Sequence, residues 1–164
     1  MMLYFAYGSN MDFDQMRKRC PSARFVAKAK LEAHRISFPR WSKKRNSGVA
    51  SVEPVNGEDT WGVVYQIDEL DLGALDHKEG FDPNRAPNDN YYNRREVRVL
   101  RDGNKDDPLT VLIYIAVAEG AFKPNTKYLD TILRGAEQWC LPENYVEKLK
   151  SDRRRWMTRR SGKP

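Results

Sequence analysis

A run of aromatic and small apolar residues, Leu3 to Tyr7, stops at Gly8-Ser9-Asn10, and Asp12 then opens a helical pattern. The run reads as a buried strand, and Asp12 with Gln15 has the spacing of a capping box. A chain that passes from strand to helix in so few residues gathers several unpartnered backbone N–H groups in one small volume. Such a corner suits an anion, or an oxygen on which negative charge develops. An ordinary strand-to-helix turn fits these residues equally well. One glycine does not make a phosphate loop, and the second glycine of a nucleophile elbow is missing.

What the rest of the chain can supply narrows the chemistry. The two cysteines, Cys20 and Cys140, form no CxxC pair, and free thiols in a reducing cytoplasm are expected. With His34 and His77 as the only imidazoles, no zinc site is expected. The 164 residues suffice for one domain with its own core, and a mean hydropathy of -0.80 describes a soluble globular chain. No apolar run approaches the ~20 residues of a membrane span, and no signal-peptide pattern precedes the first strand.

The net charge of +6 is unevenly placed. From Ser151 to Pro164, Arg153, Arg154, Arg155, Arg159, Arg160 and Lys163 face a single acidic residue, Asp152. The chain therefore divides into a nearly neutral body, 1–150, and a basic C-terminal extension, 151–164. Any attraction to nucleic acid or an acidic partner is expected in that extension.

Along the body, Cys20-Pro21 stops the first helix, and Phe25 to Phe38 alternates as strand or irregular edge. Pro39 to Ser47, with Trp41 among four basic residues, reads as an exposed loop. Val49 to Glu53 and Trp61 to Ile67 read as strands. Asp68 then caps a short helix ending at Glu79-Gly80. Gly80 suits the left-handed position after a helix, which leaves Glu79 at the negative end of the helix dipole. A carboxylate there is mildly unfavourable, a sign of service to something other than the helix. Phe81 to Asn90 is a polar loop, and Tyr91 to Leu100 and Leu109 to Val117 are strands. A helix capped by Asn125 or Thr126 buries Tyr128, Leu129, Ile132, Leu133 and Ala136, and Pro142 starts another. The expectation is one α+β domain, mostly antiparallel.

Tyr4-Phe5-Ala6-Tyr7-Gly8-Ser9-Asn10, Trp61-Gly62-Val63-Val64-Tyr65 and Leu75-Asp76-His77-Lys78-Glu79-Gly80 together resemble the gamma-glutamylcyclotransferase-like family. A fourth block runs from Tyr128 through Gly135-Ala136 and Leu141-Pro142 to Leu149. The resemblance covers about Met2 to Lys150. It implies a mixed, barrel-like sheet with flanking helices and a central cavity. It implies that Tyr7, Gly8 and Ser9, with Tyr4 and Asn10 beside them, bind the gamma-glutamyl portion of a substrate, and that Glu79 is the catalytic residue. Tyr92, Tyr114 and Tyr128 correspond to tyrosines that reach the cavity from later elements. Two features depart from the pattern. The loop from Phe81 to Tyr91 is longer, and Cys140 stands where a glycine is expected.

The implied chemistry asks little of the protein. In a gamma-glutamyl amide the α-amino group attacks the side-chain carbonyl, closing a five-membered ring and releasing 5-oxoproline and an amine. No enzyme nucleophile, metal or cofactor is required, and the partner is a small gamma-glutamyl compound. One carboxylate can take the proton from the α-amine and hand it to the leaving amine. Two other functions use the same residues. One is a hydrolase or acyltransferase with Ser9 as nucleophile, which needs His34 or His77 as its base. The other is a non-catalytic binding protein engaging nucleic acid or an acidic partner through the basic extension, with Glu79 blocked by a salt bridge. Both a monomer and a homodimer are compatible with the chain.

Overall fold

In the computed structural model, which describes residues 2–158, five strands close into a barrel in the order β1-β5-β2-β6-β7. They are β1 (Met2–Ala6), β2 (Arg24–Leu31), β5 (Thr60–Ile67), β6 (Tyr92–Arg101) and β7 (Pro108–Ala116). Two further strands, β3 (His34–Ser42) and β4 (Ser47–Pro54), form a hairpin outside the barrel. The helices are α1 (Phe13–Arg19), α2 (Glu69–Glu79), α3 (Thr126–Gln138) and α4 (Glu143–Thr158). The fold is α+β, with a mixed, mostly antiparallel sheet. Among the described residues the one parallel pair, β1 with β7 at Tyr4↔Leu112, closes the barrel.

β5 is the strand most deeply embedded. It pairs antiparallel with β1 from Met2↔Ile67 to Ala6↔Val63 and with β2 on its other edge. Val63, Val64 and Tyr65 are fully buried, as a strand flanked on both sides demands. Gly62 is required by close approach: a Cβ there would stand 2.3 Å from the Ala6 carbonyl oxygen. A side chain would push β1 away at the point where it leaves the barrel for the Gly8 turn.

The segment read as an exposed loop, Pro39 to Ser47, is instead mostly the hairpin. β3 continues through Pro39 because the β3–β4 register shifts between Ser37 and Arg40, so no ladder N–H is needed from the proline. The Pro39 carbonyl accepts from the backbone N–H groups of Glu119 and Gly120, at 2.7 and 3.2 Å. Only Lys43 to Asn46 remain as the turn between the strands.

Two anchors set the turn after β1. α3 lies directly on its backbone at Gly135, where a Cβ would fall 2.5 Å from the Met11 carbonyl carbon. The Met11 carbonyl oxygen also accepts from the Trp139 indole at 2.8 Å and the Tyr65 hydroxyl at 3.0 Å. The turn is thus held from the barrel on one side and from α3 on the other.

The division expected at residue 150 falls inside α4, which runs to Thr158. Trp156 meets the Phe38 ring edge-on at 5.5 Å, and Arg153 pairs with Asp130 at 2.7 Å. Residues 151–158 therefore belong to a helix laid against β3 and α3. Arg159, Arg160 and Lys163 lie outside the described residues. Among those described, no helix is long and apolar enough to cross a membrane, and Cys20 and Cys140 are free thiols.

Candidate active site

A cleft of about 1190 Å³ opens beside the barrel, walled by the Gly8 turn, the ends of α1 and α2, the hairpin and the start of α3. Glu79, Tyr4, Tyr7, Gly8, Ser9, Asn10, Tyr92, Tyr114 and Tyr128 all line it. Residues separated by up to a hundred positions and more are thereby brought to one surface.

The turn after β1 is tighter than a strand running straight into a helix. Ser9–Met11 forms a short 3-10 turn, with Met11 N–H donating to the Gly8 carbonyl and Asp12 N–H to that of Ser9, both at 3.1 Å. Asp12 caps α1 by accepting from Gln15 N–H at 3.0 Å. The reciprocal half of a capping box is not made, because Asp12 N–H is already engaged. The Gln15 amide reaches forward instead, donating to Ser9 Oγ at 2.8 Å and Asn10 Oδ1 at 2.9 Å. The N–H groups of Gly8, Ser9 and Asn10 meet no acceptor among the described residues. They are the unpartnered donors that the sequence places at this corner. A Cβ at Gly8 would lie 3.8 Å from the Tyr128 hydroxyl and 3.4 Å from Ala50 Cβ, so glycine keeps that side of the cleft clear.

Glu79 ends α2, with Gly80 beyond it in the left-handed conformation (φ 68°). A side chain at Gly80 would also strike Tyr91, whose Cδ2 is 2.6 Å from the Cβ position. Arg19 connects the glutamate to the turn. Its guanidinium donates to Asn10 Oδ1 at 2.8 Å and stands 3.8 Å from Glu79 Oε1. That separation is too long for a good charge-assisted hydrogen bond. The Glu79 side chain keeps 17% of its exposure. Burial raises its pKa above the ordinary carboxylate value, against the opposing pull of Arg19, Arg45 and Lys78. The carboxylate is close to compensating charge without being locked by it.

The tyrosines are hydroxyl donors in fixed positions, since burial pushes the pKa values of Tyr4, Tyr7, Tyr92, Tyr114 and Tyr128 upward. Tyr128 accepts from Ala50 N–H at 2.8 Å, leaving its own O–H to donate, and Tyr92 donates to the Ala50 carbonyl at 2.8 Å. Tyr4 accepts from the Asn10 amide at 3.0 Å. Tyr7 donates to the Tyr114 carbonyl, and Tyr114 to Asp76 Oδ1, both at 2.6 Å.

Three contributors had no distinguishing mark in the sequence. Arg19 is one of several basic residues ending α1. Arg45 lies in the hairpin turn, donates to Gln15 Oε1 at 2.9 Å and to Ser9 Oγ at 3.3 Å, and sits 5.0 Å over the Tyr128 ring. Ala50 offers only its backbone. From the long loop after Gly80, the first residue to reach the cleft is Tyr91. The loop is closed upon itself by Tyr91 N–H to the Gly80 carbonyl at 3.1 Å and by Asn90 bonds to Asp82.

Ser9 has neighbours that oppose its use as a nucleophile. Its oxygen accepts from an amide and a guanidinium, and neither His34 nor His77 lines the cleft. Cys20 is no substitute, since burial pushes its thiol up to about 12.

The chain is similar to known proteins over most of its length. Residues 59–149 match the model of the AIG2-like family. A human gamma-glutamylcyclotransferase is 31% identical over 153 residues, covering 91% of this chain and 77% of the human one. The mouse protein of the same name is 30% identical with the same coverage. A solved structure described as a gamma-glutamyl cyclotransferase superposes with a TM-score of 0.82 at 30% identity, covering 92% of this chain and 86% of its own.

Proposed function

The chain belongs to the AIG2-like, gamma-glutamylcyclotransferase family, and on that premise we propose how its cleft performs the ring closure that releases 5-oxoproline from a gamma-glutamyl compound. The N–H groups of Gly8, Ser9 and Asn10, with the Arg45 guanidinium above Ser9, hold the α-carboxylate of the gamma-glutamyl portion. Tyr128, with its free O–H, and the surrounding tyrosines line the aliphatic part. The substrate is thereby folded with its α-amine facing its own side-chain carbonyl. Such orientation of an intramolecular reaction contributes about 7–11 kcal/mol to lowering the barrier.

Glu79 moves the proton. An α-amine with a pKa of about 7.7–8.0 is largely protonated at neutral pH, and the Glu79 carboxylate takes that proton. The amine nitrogen then bonds to the carbonyl carbon, the amide C–N bond breaks as Glu79 returns the proton to the leaving nitrogen, and the second proton of the attacking nitrogen passes by way of Glu79 to the departing amine, which leaves as its ammonium. No water enters the balance. The raised pKa of Glu79 suits both halves, because a stronger base and a usable acid are the same group at different moments.

The observation that carries this reading is the placement of an incompletely paired carboxylate across one cleft from a turn with unpartnered N–H groups. The serine reading lacks a base, and Glu79, 3.8 Å from Arg19, is not locked in the salt bridge that would favour the binding-protein reading. The test is 5-oxoproline release from a set of gamma-glutamyl compounds by the native protein and by Glu79→Gln. The exchange should lower turnover by about 10²–10⁴-fold while the fold persists. An active Glu79→Gln with an inactive Ser9→Ala would overturn the mechanism in favour of the serine.

A further inference from the structure

Nine basic and four acidic side chains line the cleft, an excess greater than one substrate α-carboxylate requires. Several of the cations are engaged within the protein. Arg134 pairs with Asp12, Arg40 with Glu119 at 3.2 Å, and Arg19 reaches Asn10 and Glu79. Lys43 and Lys44 on the hairpin turn, and Lys78 on the last turn of α2, form no ion pair among the described residues. All three are exposed, so they stand at the outer rim of the cleft they line. Lys44, and after it Arg19, push the Lys78 pKa down, as neighbouring like charges do. Like charges gathered on one surface repel, and a bound anion relieves that repulsion.

The substrate's first carboxylate is accounted for deeper in the cleft, at the Gly8 turn and Arg45. What remains at the mouth faces the half of the substrate that leaves. Resting on the ring-closure reading above, we propose that Lys43, Lys44 and Lys78 select gamma-glutamyl compounds whose leaving group is an acidic amino acid. A leaving amino acid with a carboxylate side chain brings two negative charges to the three lysines. A neutral amino acid brings one, and a simple amine brings none. A leaving group with its own ammonium, such as a lysine side chain, is repelled.

The decisive pair is gamma-glutamyl-glutamate against gamma-glutamyl-glutamine, which are nearly isosteric and differ by one charge. For the native protein, kcat/KM for 5-oxoproline release should favour the glutamate compound by about tenfold at low salt, and the preference should shrink as salt screens the lysines. In Lys44→Gln/Lys78→Gln the ratio should fall towards one. Taking the ratio within each variant cancels any effect on Glu79 common to both substrates. Release of 5-oxoproline with equal kcat/KM for the pair in the native protein would overturn this proposal and leave the ring-closure reading standing. No release from any gamma-glutamyl compound would overturn that reading, and this proposal with it.

Discussion

The Tyr114 hydroxyl donates to Asp76 at 2.6 Å, tying the barrel strand β7 to α2 three residues before Glu79. Arg94 on β6 holds the other carboxylate oxygen, also at 2.6 Å. The last turn of α2 is therefore fastened to two adjacent strands, and Glu79 inherits its position from that fastening. Asp76→Ala leaves both partners unpaired. We expect a stability loss of about 2–3 kcal/mol in urea unfolding, since hydrogen bonds to a charged group are worth about 1.5–3 kcal/mol each and this site is half-buried. Turnover should fall with KM little changed. An unaltered kcat would show that α2 holds Glu79 without this tie.

Glu79 should cost the protein stability. Its folded-state pKa is raised, so relative to the unfolded chain the native state disfavours the ionised form. The stability associated with such a group is full below the unfolded value of about 4.3 and is lost as pH rises through the folded value. Glu79→Gln, which cannot ionise, should therefore melt at a higher temperature than the native protein at pH 7. The difference should close near pH 4. A variant less stable at pH 7 would show that Arg19 and Arg45 outweigh burial.

Cys140 has φ +53° just after α3, where a side chain crowds the backbone. Its N–H donates to the Glu137 carbonyl at 3.1 Å, and Leu141 N–H to that of Ala136 at 3.0 Å, the arrangement that usually ends on glycine. Cys140→Gly should gain about 0.5–1 kcal/mol, because strain of about 1–2 kcal/mol is relieved and glycine's larger unfolded-state entropy takes part of it back. Cys140→Ala keeps the Cβ and should show no such gain. Equal melting temperatures for the two variants would refute this account.

A chain ending at Ser151 should be measurably less stable. It loses the Trp156 contact with Phe38 and the Arg153–Asp130 pair. Half-buried, Trp156 should account for about 1–3 kcal/mol, below the cost of a fully buried aromatic. Trp156→Ala in the full chain isolates that share. Because Phe38 also meets the Tyr128 ring edge-on at 6.4 Å, the truncation should raise KM as well.

What the sequence could reveal depended on whether a residue's task leaves a local mark. Gly80 does, because ending a helix in the left-handed region favours glycine, and this drew attention to Glu79 beside it. The turn after Tyr7 does, because a strand cannot continue through Gly8-Ser9-Asn10 without a break. Arg45 leaves none. Its surroundings come from α1 and α3, far away in sequence, so among Lys43, Lys44 and Arg45 nothing local singles it out. The hairpin was obscured by Pro39, whose effect on a ladder depends on a register shift that only the partner strand defines. The loop after Gly80, longer than the family pattern, follows Glu79 directly in the chain. Its own closing bonds turn it away until Tyr91.

The barrel is closed through its own backbone, whereas the hairpin that forms one wall of the cleft has no backbone ladder to it. Its ties to the rest of the site include the Tyr128 and Tyr92 hydroxyls on Ala50 and the Arg45 contacts at its tip. A lineage carrying this fold can therefore rewrite Lys43 and Lys44, and with them the charge at the rim of the cleft, without disturbing a hydrogen bond that holds the barrel together. Stability and substrate choice are mutated separately, and each can drift while the other is under selection.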